Sequence, residues 1–285
     1  MKKYTLLSLA ALLFTAIPVQ AVPSNLQEVT LSTPSGNELG LILPPGAENS
    51  HVISLGQAID PGSGELVEGY AFVHYKNNNS AKPEHAKGGK KGGPGSGSTT
   101  NACYSYIANG AAWTSTEPYM INPINNQGLD ENVVTSLLDT AVNTWNDQVG
   151  GVIFGSRVDF TGDGADTSAP DDKNEILFGS IASPGAIAVT TVWGVFSGPP
   201  FARHLTEWDM VFDQSDFDWS VETDGVPGKM DFLNIAVHEV GHAAGMGHPE
   251  NSCIEETMYA YASDAEIKKR TLNDGDIAGI KNLYQ

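Results

Sequence analysis

Residues 238–248 read His-Glu-Val-Gly-His-Ala-Ala-Gly-Met-Gly-His. The five specified positions of this HExxHxxGxxH string meet by accident in a chain this long roughly once in a hundred thousand. His238 and His242 stand four apart, so on a helix both rings project from one face and reach a single ion. Glu239 points about 100° around that helix, poorly placed to be a ligand and well placed to touch water at the ion. Gly245 accepts the left-handed conformation that stops the helix and brings His248 back as a third ligand. Three protein ligands leave tetrahedral zinc one position short. The chemistry that follows is zinc-assisted hydrolysis, with Glu239 as general base and then acid. A closed structural zinc site has four protein ligands, often cysteines, and no use for the acid.

These residues need a scaffold, and the pattern predicts an α+β one. The zinc helix is expected over 231–244. Val133, Val134, Leu137, Leu138, Ala141, Val142 and Trp145 recur at helical spacing within 130–149, a core-facing stripe ended by Gly150-Gly151. A last helix starts near Thr271, with Asp274 three residues on as a capping partner. Strands are expected at 152–154, 176–178, 187–193 and 208–212, forming a twisted, mixed sheet with one long helix behind it and the zinc helix beneath. Residues 22–75 read as a small β-rich region with strands at 51–55 and 69–75 around the turn Asp60-Pro61-Gly62-Ser63-Gly64. Residues 76–100 read as a flexible Gly/Lys/Ser-rich linker containing Lys76, Lys82, Lys87, Lys90 and Lys91. Residues 101–285 suit one catalytic domain. The 22–75 region reads either as a propeptide on a cleavable joint or as a permanent accessory domain. At the start, Lys2 and Lys3, the apolar run 6–17 and Val19-Gln20-Ala21 form an export signal over 1–21, too short to span a membrane.

The zinc string resembles that of the metzincin metallopeptidases. Thr257-Met258-Tyr259 is similar to their Met-turn, and 272–284 resembles the C-terminal helix of the matrixin group. The resemblance covers roughly 103–285. It implies a zinc endopeptidase, with Met258 as an apolar floor beneath the ligands and Ala186–Trp193 as the edge strand that holds an extended substrate by backbone hydrogen bonds. The alternative for 186–193 is an ordinary interior strand. Departures are Pro249 where matrixins carry Ser, Ala260 where they carry Pro, and tyrosines at 259 and 261, one and three residues after the Met. No tyrosine ligand is assigned.

Cys103 and Cys253 are an even pair in a chain expected to be exported, which reads as a disulfide. The alternative, a cysteine switch on zinc, lacks the Pro-Arg-Cys-Gly context around Cys103. The net charge is −19, and losing Lys2 and Lys3 with the leader deepens it. That sign argues against nucleic acid and an anionic membrane as partners. Two acidic groups are candidate Ca2+ ligands: Asp159, Asp163, Asp166, Asp171 and Asp172, then Asp213, Asp216 and Asp218. Solvated loop acids are the plain alternative. His51, His74, His85 and His204 have no partner spacing and read as ordinary residues.

The expectation is therefore a monomeric zinc endopeptidase, secreted or periplasmic, acting on extended protein or peptide. An exported zinc-containing binding or adhesion protein is the alternative, against which intact Glu239 argues. A zinc hydrolase of another substrate class is a second, against which the strand at 186–193 argues.

Overall fold

The computed structural model describes residues 40–43, 50–77 and 102–285. The leader at 1–21, nearly all of the linker and His85 lie outside the described residues. In chain order the elements are β1 (Gly40–Leu41), β2 (Val52–Ile59), β3 (Leu66–Lys76), β4 (Ser105–Tyr106), β5 (Glu117–Asn122), α1 (Glu131–Asn146), β6 (Phe154–Val158), β7 (Glu175–Ile181), β8 (Ala186–Val195), β9 (His204–Asp213), β10 (Trp219–Ser220), β11 (Met230–Asp231), α2 (Phe232–Ala243), β12 (Met246–Gly247), β13 (Tyr261–Ala262) and α3 (Asp274–Tyr284). The main sheet runs β13-β3-β8-β9-β7-β5-β6, with β1 added to β7 and β2 to β3. It is mixed: β6, β5, β7 and β9 are parallel, and β8 is antiparallel to both β9 and β3. This is the expected α+β architecture, with α1 and α2 packed on one face.

Each helix is set by local chemistry. Asp130 caps α1, its carboxylate accepting from the N–H groups of Asn132 and Val133. Val134, Leu138, Ala141, Val142 and Trp145 form its buried stripe. The helix ends at Asn146, short of Gly150, because the Asn146 side chain accepts from the N–H groups of Ile153 and Phe154 and ties the helix end to β6. Asp231 caps α2 through the Asn234 N–H at 2.7 Å. The cap of α3 is Asn273, two residues later than expected. Its N–H donates to Asp276 at 3.0 Å, the reciprocal bond of a capping box.

Alternation sorts β3 between the two faces of the sheet. Phe72, with Tyr70 packed beside it, joins the core under α1 and α2. Ala71, Val73 and Tyr75 join a second core on the far side with Leu41, Ile53, Val189 and Val211. The small N-terminal region thus contributes strands to the main sheet. One expectation is overturned here: β8 is an interior strand. Glu68–Tyr75 of β3 pair with it from Gly194 to Ala186, covering the edge expected to hold substrate.

Candidate functional site

The site is built on the last turns of α2 and the chain that leaves it. His238 and His242 project from one face of the helix. Gly245 has φ +95°, and a Cβ there would stand 2.8 Å from the Ala111 carbonyl, so only glycine makes this turn without strain. The turn returns His248 to the other two rings. Their Nε2 atoms form a triangle with sides of 3.2, 3.2 and 3.0 Å. The Nδ1–H of His238 donates to the Thr257 carbonyl at 2.6 Å, and that of His242 to the Met246 carbonyl at 2.9 Å. Those bonds place the lone pairs of His238 and His242 on Nε2, facing the centre, while His248 Nδ1 is buried without a hydrogen-bond partner among the described residues.

Three bare imidazole lone pairs at this separation repel. A tetrahedral zinc with bonds of about 2.0–2.1 Å needs its nitrogens about 3.3 Å apart, so the donor set fits zinc closely. Burial pushes all three histidines below the ordinary imidazole range, His242 to about 3, which keeps the rings neutral and ready to ligate.

Met258 is fully buried beneath this turn of α2. A Cβ at Gly241 would stand 2.2 Å from its sulfur, so Gly241 is what lets the floor come so close. The floor is held by Asp276 of α3, fully buried, whose carboxylate accepts from the N–H groups of Thr257 at 2.8 Å and Met258 at 3.1 Å. Sequence reasoning did not single out Asp276; the signal for it was its place three residues after Asn273. Cys103 and Cys253 are joined in a disulfide, which ties the start of the 101–285 region to the loop between His248 and Met258.

Glu239 is fully buried. Its carboxylate accepts from the Thr190 hydroxyl of β8 at 2.7 Å and meets His74 Nδ1 at 3.1 Å. Burial pushes it up to about 8 against the pull of Thr190 and Lys269. His74, read from the sequence as ordinary, is fully buried and stacks on the His238 ring at 3.8 Å. Its Nε2 lies 3.1 Å from the ammonium of Lys269. Lys269 is also fully buried; it donates to the Tyr259 carbonyl and is pushed down to about 7 by burial. With a neutral His74, the chain of donors runs Lys269 to His74 to Glu239. Neither His74 nor Lys269 has a local spacing that would mark it in the sequence.

The acidic candidates divide. Asp163 gathers with Asp171 and Glu175, and Asp166 with Asp171 and Glu207, the ligand atoms of each set lying within 4.8 Å of one another. The buried Asp209 adjoins them, accepting from the N–H groups of Asp166 and Glu175. Asp159, Asp213 and Asp216 are in neither set. The Asp213 carboxylate is instead engaged by the N–H groups of Ile181, Ser215 and Asp216.

Comparison with known proteins places this geometry. The chain is 37% identical to Matrilysin of Rattus norvegicus over 76 residues, 27% of this chain and 26% of that protein. It is 33% identical to Metalloendoproteinase 2-MMP of Arabidopsis thaliana over 99 residues, 33% of this chain and 23% of that one. It is 28% identical to the Hatching enzyme of Paracentrotus lividus over 181 residues, 63% of this chain and 27% of that one. The matches thus span about a quarter of the length of each of these relatives. The Matrixin family model matches residues 112–285. That stretch takes in β5 onward, all three helices, the three converging histidines and the Met258 floor, and this chain is a member of the matrixin family.

Proposed function

We propose that the chain is an exported zinc endopeptidase acting on extended peptide segments. The observation that carries this reading is the convergence of three neutral imidazoles beside one carboxylate that is not among them. His238, His242 and His248 would hold the metal. Bound zinc supplies a Lewis acid that polarises the scissile carbonyl and makes water nucleophilic near neutral pH. Glu239 accepts the proton of the attacking water and passes it to the departing amine nitrogen. The Thr190 hydroxyl fixes the orientation of that carboxylate. Met258 and Asp276 hold the ligand helix against displacement. Export rests on the signal-like segment 1–21. Among the described residues no helix is long and apolar enough to cross a membrane.

The test is Glu239→Gln, measured on the intact chain and on chain cut within 78–100. Zinc content should stay at wild type, while hydrolysis of a peptide library falls by about 100- to 10,000-fold, the usual contribution of a general base. A variant that cuts peptides at the wild-type rate sinks the mechanism.

A structural cation, with calcium as the best fit, is supported by the acidic cluster. Glu175 is fully buried and Glu207 nearly so, and Glu175 Oε2 and Glu207 Oε1 have no hydrogen-bond partner among the described residues. Among the described residues the cation paired with the cluster is Lys173, through Asp171 and, at 4.0 Å, Asp163. Buried carboxylates with so little countercharge are costly. Burial raises Asp166 and Glu175 to about 7 and holds Glu207 and Asp209 well above the carboxylate range. Calcium takes six to eight oxygens and would remove that cost.

A further inference from the structure

The three candidate ligand rings are covered by three aromatic side chains from residues 51–74. His74 stacks on His238 at 3.8 Å, Phe72 stacks on His242 at 4.5 Å, and His51 meets His248 edge-on at 5.4 Å. His74 and Phe72 lie two apart on β3, so one face of one strand covers two ligands and reaches Glu239. His51 is held over the third by its ring nitrogen, 3.0 Å from the Val73 carbonyl of the same strand.

The backbone of β3 is equally committed. One edge is antiparallel to β8 from Glu68 to Tyr75. On its other edge Leu66–Phe72 pair antiparallel with β2, and Tyr75 and Lys76 run parallel to Tyr261 and Ala262 of β13, just past the Met258 turn. An extended peptide held by backbone hydrogen bonds on β8 would need the edge that β3 occupies and the same space above the histidines. β3 and a substrate are therefore mutually exclusive.

On the reading of this site as a zinc peptidase, we propose that Leu66–Lys76 is an internal occupant of the substrate groove. The intact chain is latent because β3 fills the groove, and no cysteine is required. The same sequence supplied in trans is an inhibitor. A tethered segment acts at an effective concentration on the order of millimolar. With micromolar affinity, that leaves about one molecule in a thousand open, so displacing β3 raises the rate by about 100- to 1000-fold.

The experiment compares the zinc-loaded intact chain with Phe72→Glu/His74→Ala in the same full-length background. A synthetic peptide of residues 62–77 is added to each. Hydrogen exchange of the β8 amides at 188–194 is read beside hydrolysis of a peptide library. The variant should lose protection along β8 and gain hydrolysis, and the peptide should restore protection and suppress hydrolysis. The inference is overturned if the intact wild-type chain cleaves as fast as the variant, or if saturating peptide leaves both exchange and rate unchanged. Exposure of β8 with zinc bound and peptide-restored protection, but no hydrolysis in any form, would leave the occupancy standing and remove the peptidase reading. Should the variant not fold, wild-type chain cut at a protease site inserted within 78–100 is separated from its N-terminal fragment. The rate must then rise and fall again when the fragment is returned; an unchanged rate after the fragment has left overturns the inference.

Discussion

Gly245 carries two demands that no other residue meets together, a φ of +95° and a Cβ position 2.8 Å from the Ala111 carbonyl. In Gly245→Ala the backbone must relax, and His248 moves with it. The expected loss of stability is about 1–3 kcal/mol, the cost of a left-handed non-glycine residue. Zinc affinity should fall as well, because the Nε2 triangle opens. Denaturant unfolding and zinc titration check the two effects separately; unchanged affinity would detach the turn from the site. The spacing of the three histidines made this part of the site legible, since four residues of helix and one glycine turn are local geometry. His74 and Lys269 were not legible. They reach Glu239 and His238 from 165 and 31 residues away in sequence, and nothing near either one distinguishes it from an ordinary buried histidine or a surface lysine.

At the scale of elements, the acidic cluster is assembled by strand register. Glu175 of β7 pairs with Asp209 of β9, and the loop before β7 brings Asp163, Asp166 and Asp171 over them. The sequence showed the loop acids but none of the strand acids, because Glu175 and Glu207 fall just outside the strands expected at 176–178 and 208–212 and Asp209 lies within the second. Asp166 and Glu175 lose their protons near pH 7 in the folded chain and near 4 in the unfolded one. Between those values the folded state binds more protons, so this cluster's contribution falls as pH rises from about 4 to about 7 when no cation is present. A calcium ion held by the cluster would compete with those same protons. With zinc held constant, the gain in Tm on adding calcium should therefore grow from pH 5 to pH 8. Glu175→Gln should raise Tm without calcium at pH 8 and shrink the calcium response. A calcium increment independent of pH would show that the ion binds elsewhere. The strand β8 teaches the same lesson about register. Its apolar run was read correctly as a strand, yet its neighbour β3 lies over 100 residues earlier, and periodicity within a strand is silent about what lies beside it.

Across the whole molecule, the disulfide links Cys103, near the entry to the family-matched region, to Cys253 between His248 and the Met258 turn, 150 residues apart. Reduction frees a very long loop in the unfolded chain, and the expected cost is about 2–5 kcal/mol. The cost is not spread evenly. Gly275, in the first turn of α3, lies against the Cys103 backbone, its Cβ position only 2.3 Å from the Cys103 carbonyl. Its N–H donates to Glu256 at 3.1 Å, within the Cys253–Met258 loop. The bridge, α3 and the Met258 floor thus form one mechanical unit beneath the three histidines, with Asp276 as the link between α3 and the floor. Cys103→Ser/Cys253→Ser should lower Tm and also release zinc at a lower denaturant concentration than global unfolding, because the floor loosens before the sheet does. Following zinc release with a colorimetric chelator alongside far-UV circular dichroism separates the two transitions. Coincident transitions in the double variant would mean that the bridge stabilises the molecule only as a whole, and that the floor is held by Asp276 without it.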